Sequence, residues 1–158
     1  MKKSPKYQPV TLVITSLNEL YTALLTAKRK CEDVALKITN EQLKKTIIAL
    51  EHLNTQYANE LGAQIQSLGG NALEPEMVFL ESAGVSNRLH LNLGLETKNI
   101  CAKVEYPIIK LYRKILRQPI LNASLKKMIQ YQMNGIMCTT LQLKLLSDFL
   151  KFQDAVTC

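Results

Sequence analysis

Leu125, Ile129, Gln132, Ile136, Thr139, Leu143, Leu146 and Leu150 follow one another at alternating steps of four and three residues. That spacing lines up one side of an α-helix, whereas a strand would send successive members of the set to opposite faces. A run this long and this regular is the seam of a helix bundle, and the rest of the chain has to supply the walls that cover it. Asn122, shortly after Pro119, is the expected N-cap, because its side chain can accept a backbone amide of the first turn.

The walls are legible upstream. Ser16-Leu17-Asn18-Glu19 reads as a capping box, so a first helix is expected to begin there. Its apolar positions Leu17, Leu24, Cys31 and Ile38 repeat every seven residues and interleave with Leu20, Ala27 and Val34. Thr39-Asn40-Glu41-Gln42 repeats the capping-box logic at once, which predicts a second, antiparallel helix after almost no loop. That helix carries Leu43, Ile47, Leu50, Asn54, Tyr57, Leu61 and Leu68 and stops at Gly69-Gly70, where glycine supplies a left-handed cap.

Residues 71–97, punctuated by Pro75, Gly84 and Gly94, read as a long crossover with a short helix near Gly84 to His90. A third helix is expected from Thr97 or Asn99 to Gln118, with Cys101, Val104, Ile108, Leu111 and Ile115 on its stripe and a kink at Pro107. The expected organisation is an extended N-terminal arm over 1–15, with Val10 to Thr15 along the surface, a four-helix bundle over 16–152 and a tail over 153–158. The fold class is all-α: two antiparallel helical hairpins joined by the crossover.

Several short motifs, taken in order, resemble a bacterial ferritin-like family of unknown function. They are Leu17-Asn18-x-Leu20, Tyr57-Ala58-x-Glu60-Leu61 with Leu68-Gly69-Gly70, Gly84-x-x-x-Arg88, Glu105 with Tyr112, and Gln132-x-x-x-Ile136. The resemblance spans roughly residues 16–150. It implies a ferritin-like four-helix bundle and a stress-related role, without an established reaction.

A ferritin-like di-iron centre takes one Glu from each of two helices and Glu-x-x-His from each of the other two, because a step of three keeps both ligands on one face. Glu51 and His52 are adjacent and diverge by about 100° around the helix, and the residue three beyond Glu51 is Asn54. From Tyr106 to Ser147 there is no Asp, Glu or His at all. Where the resemblance would place an aspartate and a late histidine, this chain has Thr26 or Ala27 and Thr139 or Thr140. Neutral amides and hydroxyls compensate two divalent ions poorly.

The expectation is therefore no cofactor and no catalytic residue, with Asn54, Glu105, Gln132 and Thr139 forming a hydrogen-bonded polar cluster in the core. The alternative is an iron or manganese oxidase or storage protein using Glu32, Glu51 and Glu105, with Glu32, Glu51 and Glu60 otherwise expected on solvated faces.

A chain of 158 residues fits one domain that buries roughly 70% of its unfolded surface. Its net charge of +7 is uneven: residues 1–97 carry ten basic and ten acidic side chains, residues 98–158 ten basic and three acidic. Lys110, Arg113, Lys114, Arg117, Lys126 and Lys127 make a basic face suited to an acidic partner, although the sparse aromatic interleaving disfavours nucleic acid.

Cys31, Cys101, Cys138 and Cys158 are widely spaced with no CxxC pair, which argues against zinc and predicts mainly buried free thiols in a reducing cytoplasm. The N-terminal MKKSPKYQPVTLVITS has too short an apolar run for a membrane span and no cleavage pattern for a signal peptide. A homodimer through a bundle face or the N-terminal arm is compatible with the stripe widths, which do not decide it.

Overall fold

The computed structural model describes residues 8–73, 105–119 and 122–157, and these form four helices with no strand among them. The helices are α1 (Gln8–Lys37), α2 (Glu41–Ser67), α3 (Tyr106–Leu116) and α4 (Ala123–Thr157). The expected crossover helix near His90 and the start expected for the third helix lie outside the described residues.

The first helix begins at Gln8, well before the capping box, so the arm expected to be extended is helical from that point. Tertiary packing decides this. Val13 is buried, and Ile14 lies against Gly70, where a Cβ would come within 2.8 Å of its Cγ2. About two more helical turns thus extend the apolar stripe and outweigh the β-preference of the VTLVIT run.

Ser16 caps nothing. It is buried in mid-helix, where its hydroxyl accepts a hydrogen bond from the Gln118 side-chain amide at 2.7 Å, and Glu19 pairs with Lys114 at 3.2 Å. Both residues of the apparent capping box hold α3 instead.

The turn into α2 is as short as expected, with the cap displaced by one residue from Thr39: Asn40 accepts from the Leu43 amide at 3.0 Å. At the other end, Gly69 has φ +87°, its amide donates to the Gln66 carbonyl, and the Gly70 amide reaches back to the Ile65 carbonyl. This paired pattern satisfies the last carbonyls of the helix. Asn18 of α1 then holds the outgoing chain through both ends of its amide, donating to the Asn71 carbonyl at 3.1 Å and accepting from the Leu73 amide at 2.9 Å.

Pro107 falls in the first turn of α3, where a proline costs no hydrogen bond within Tyr106–Leu116, and the residues before Glu105, on which the expected kink depends, lie outside the described residues. Asn122 caps α4 as expected, accepting from the Leu125 amide at 2.7 Å. That helix continues to Thr157, through the segment expected to be a tail.

Side-chain pairings between helices fix the topology. Glu19 and Ser16 meet Lys114 and Gln118 in that order, so α3 runs antiparallel to α1. Tyr112 meets Gln132 while Glu105 meets Thr140, so α4 runs antiparallel to α3. Each helix packs on two neighbours, with α1 diagonal to α4 and α2 diagonal to α3. The result is an up-down-down-up four-helix bundle whose second and third helices are parallel.

Leu17, Leu20 and Leu24 of α1, Ile47, Leu50, Leu61 and Ile65 of α2, Ile115 of α3 and Ile129, Ile136 and Leu143 of α4 fill one continuous core. Each contributes on the order of 1.5–3 kcal/mol by burial. The stretch Val10–Lys37 is long and apolar enough by length and composition to cross a membrane, and in this fold it lends its buried residues to that core.

Candidate functional site

The centre of the bundle is polar at one level and occupied by a hydrogen-bonded chain. Gln132 of α4 is fully buried, and its side-chain amide donates to Glu60 Oε2 of α2 at 2.8 Å and, at 3.5 Å, to the Tyr57 carbonyl. The Tyr112 hydroxyl of α3 donates to Gln132 Oε1 at 3.1 Å. Glu60 Oε1 in turn accepts from the Gln56 side chain at 2.9 Å. One amide thus ties three helices together, because it donates on one side and accepts on the other.

Both tyrosines of this centre are buried and held protonated above the ordinary phenol range, Tyr112 strongly so. For Tyr112 the main cause is burial, reinforced by the nearby Tyr57 and Glu60. For Tyr57 burial again comes first, followed by Tyr131, Glu60 and Cys138. A phenol so disfavoured as an anion is a hydrogen-bond donor at neutral pH and a poor general base or nucleophile.

The expected cluster of Asn54, Glu105, Gln132 and Thr139 does not form as one unit. Glu105 lies two turns of α4 away from Gln132, about 12 Å along the axis. There it accepts from Thr140, not Thr139, at 2.8 Å and pairs with Lys144 at 3.2 Å. Thr139 is only partly buried. Asn54 is 1% exposed, and both its amide nitrogen and its oxygen lack a hydrogen-bond partner.

The carboxylates weighed as metal ligands stay apart. Glu32 is half exposed and paired with Lys28 at 3.6 Å. Glu51 accepts from the Thr55 hydroxyl at 3.1 Å and sits 3.5 Å from His52, whose own side chain is largely exposed. Among the described residues, no three of His, Cys, Asp and Glu come close enough to share an ion. Each carboxylate that reaches the interior is already matched by an amide, a hydroxyl or a lysine, so this donor set does not fit a di-iron centre.

Glu60 was expected on a solvated face and is instead partly buried against Gln132. Its only signal was position, one turn beyond Tyr57 and next to the core residue Leu61. Cys31 is buried as expected, whereas Cys138 is exposed; Cys101, Cys158 and His90 lie outside the described residues.

Lys110, Arg113, Lys114 and Arg117 stand on one exposed side of α3 at steps of three, one and three, and Lys126 and Lys127 are exposed in the first turns of α4. Comparison with protein-family models, with curated proteins and with solved structures gave no match to this chain.

Proposed function

We propose that this chain is a ferritin-like four-helix bundle serving as a non-catalytic structural or interaction module, with its centre closed by side-chain hydrogen bonds in place of a metal centre. The observation that carries this reading is Gln132. It occupies the middle of the bundle, fully buried, and spends its whole side chain on Tyr112, Tyr57 and Glu60. The up-down-down-up order with parallel second and third helices supports the ferritin-like part of the proposal.

Metal analysis of protein purified from iron- and manganese-rich medium tests the reading. The expected content is far below one atom per chain. Near-stoichiometric metal that disappears in Glu60→Gln or Glu105→Gln would overturn it.

A second reading, docking of an acidic partner, rests on the clustering of Lys110, Arg113, Lys114 and Arg117 along one exposed side of α3. Binding of that kind weakens steeply with added salt. A charge-reversed Arg113→Glu/Arg117→Glu chain that binds a polyanion as well as the parent does at low salt would remove this reading.

A further inference from the structure

Helix α4 is apolar on two opposite sides. Ile129, Ile136 and Leu143 face the core, while Tyr131, Leu141, Leu145 and Phe149 are 65%, 56%, 61% and 54% exposed. At 100° per residue, Tyr131, Cys138, Leu145 and Phe149 form a stripe pointing away from the core residues, with Leu141 on its flank. Surface leucines scattered singly need no explanation, whereas an aligned set running along one helix does. Residues 71–73 are held on α1, diagonal to α4, by Asn18 and Thr22, so the chain leaves α2 on the side of the bundle away from this stripe.

The charges and spacing along the stripe identify what covers it. Cys138 lies at the middle: Tyr131 and Leu145 are equidistant from it, and Lys127 and Asp148 are equidistant within one residue. If two copies of α4 cross antiparallel at Cys138, each Tyr131 meets the other copy's Leu145, and each Lys127 meets the other copy's Asp148. A parallel pair would set Lys127 against Lys127 and Asp148 against Asp148. The stripe is therefore self-complementary about a two-fold axis perpendicular to the helix, which gives an antiparallel isologous dimer, and not about one running along it.

We propose that the outer face of α4 is a homodimer interface, formed by antiparallel packing of α4 on the α4 of a second copy with the two-fold axis near Cys138. The apolar centre of Tyr131, Leu141, Leu145 and Phe149 supplies the burial, and the two Lys127–Asp148 pairs fix the direction. A single helix pair is a small interface, so the dimer dissociates on dilution. The proposal stands apart from the reading of the bundle centre: self-association tests the one and metal content the other.

Sedimentation equilibrium of the full chain, under reducing conditions and over a range of concentrations, tests it directly. The expected result is a monomer–dimer equilibrium that Leu145→Glu shifts to monomer while helicity by circular dichroism is unchanged. Asp148→Lys alone weakens the dimer at least several-fold, and combining it with Lys127→Asp restores it. In a Cys101→Ser/Cys158→Ser background a short bismaleimide links two copies of the chain, and adding Cys138→Ser abolishes the link. A parent chain that stays monomeric at its highest soluble concentration overturns the proposal. So does a dimer indifferent to Leu145→Glu, or one in which the charge exchange fails to rescue.

Discussion

The Tyr57 ring lies over Gly135 of α4 so closely that a Cβ at that position would collide with the phenol oxygen and come within 3.1 Å of Cζ. Tyr57 is buried and meets the Tyr131 ring edge-on at 6.2 Å, so it has little room to retreat. Gly135→Ala gains about 1 kcal/mol of helix propensity but forces an overpacked contact costing about 1–3 kcal/mol. Steric cost wins, and the expected result is a lowered urea midpoint. Tyr57→Phe removes the colliding oxygen, so the double variant is more stable than Gly135→Ala alone, with a coupling of about 1 kcal/mol in a double-mutant cycle. Strict additivity of the two changes would show that the hydroxyl is not what fixes Gly135.

Asn54 offers the opposite case, a polar group whose removal helps. Its amide is buried with neither end satisfied, and such a group costs about 1–3 kcal/mol relative to a paired one. Leucine has the branch point and the number of side-chain heavy atoms of asparagine and needs no partner. Asn54→Leu is therefore expected to raise stability by about 1–2 kcal/mol. A loss of similar size on denaturant unfolding would mean that the amide is satisfied in solution.

The same two helices show how far the sequence could be read. On α4 the steps of four and three named Leu125, Ile129, Gln132, Ile136 and Leu143 correctly as buried, yet farther along it is Thr140 and Ser147 that are buried, while Thr139 and Leu146 are only partly so. A seven-residue repeat falls behind a straight helix by about 20° per heptad. After two heptads the neighbouring column has turned inward, which is why Glu105 found Thr140 rather than Thr139.

The helix caps at Asn40 and Asn122 and the glycine stop at Gly69 were readable because they depend on residues within one turn. Ser16 and Glu19 misled because their partners, Gln118 and Lys114, come from about a hundred residues away. The outer stripe of α4 escaped notice for a related reason. The seam of fours and threes takes only Leu143, Leu146 and Leu150 from this stretch, and it is exposure that marks Leu141, Leu145 and Phe149 as a second face.

Asn18 sets the exit path from α2, and its loss has a local signature. Replacing it with alanine leaves the Leu73 amide and the Asn71 carbonyl without their side-chain partner. The expected effect is a loss of about 1–2 kcal/mol, with hydrogen exchange at Leu73 accelerating more than at amides in the middle of α2. Uniform acceleration across α2 would instead point to global destabilisation.

The two buried phenols set the alkaline limit of the fold. In the unfolded chain both ionise near pH 10, whereas in the bundle burial holds Tyr112 and Tyr57 protonated to higher pH. A folded pKa above the unfolded one means that the stabilisation is complete below about pH 10 and is lost as pH rises beyond it. Tyr112 alone is expected to lower stability by up to about 1.4 kcal/mol per pH unit in that range. Tyr112→Phe leaves Gln132 Oε1 without its donor and so lowers stability near pH 7 by about 1–2 kcal/mol, but its decline above pH 10 is shallower than that of the parent. Urea midpoints from pH 7 to 12, with the phenolate absorbance near 295 nm followed in parallel, check both statements. Parallel curves for parent and variant, or six tyrosines ionising together in the folded chain, would show that Tyr112 is not held in its neutral form.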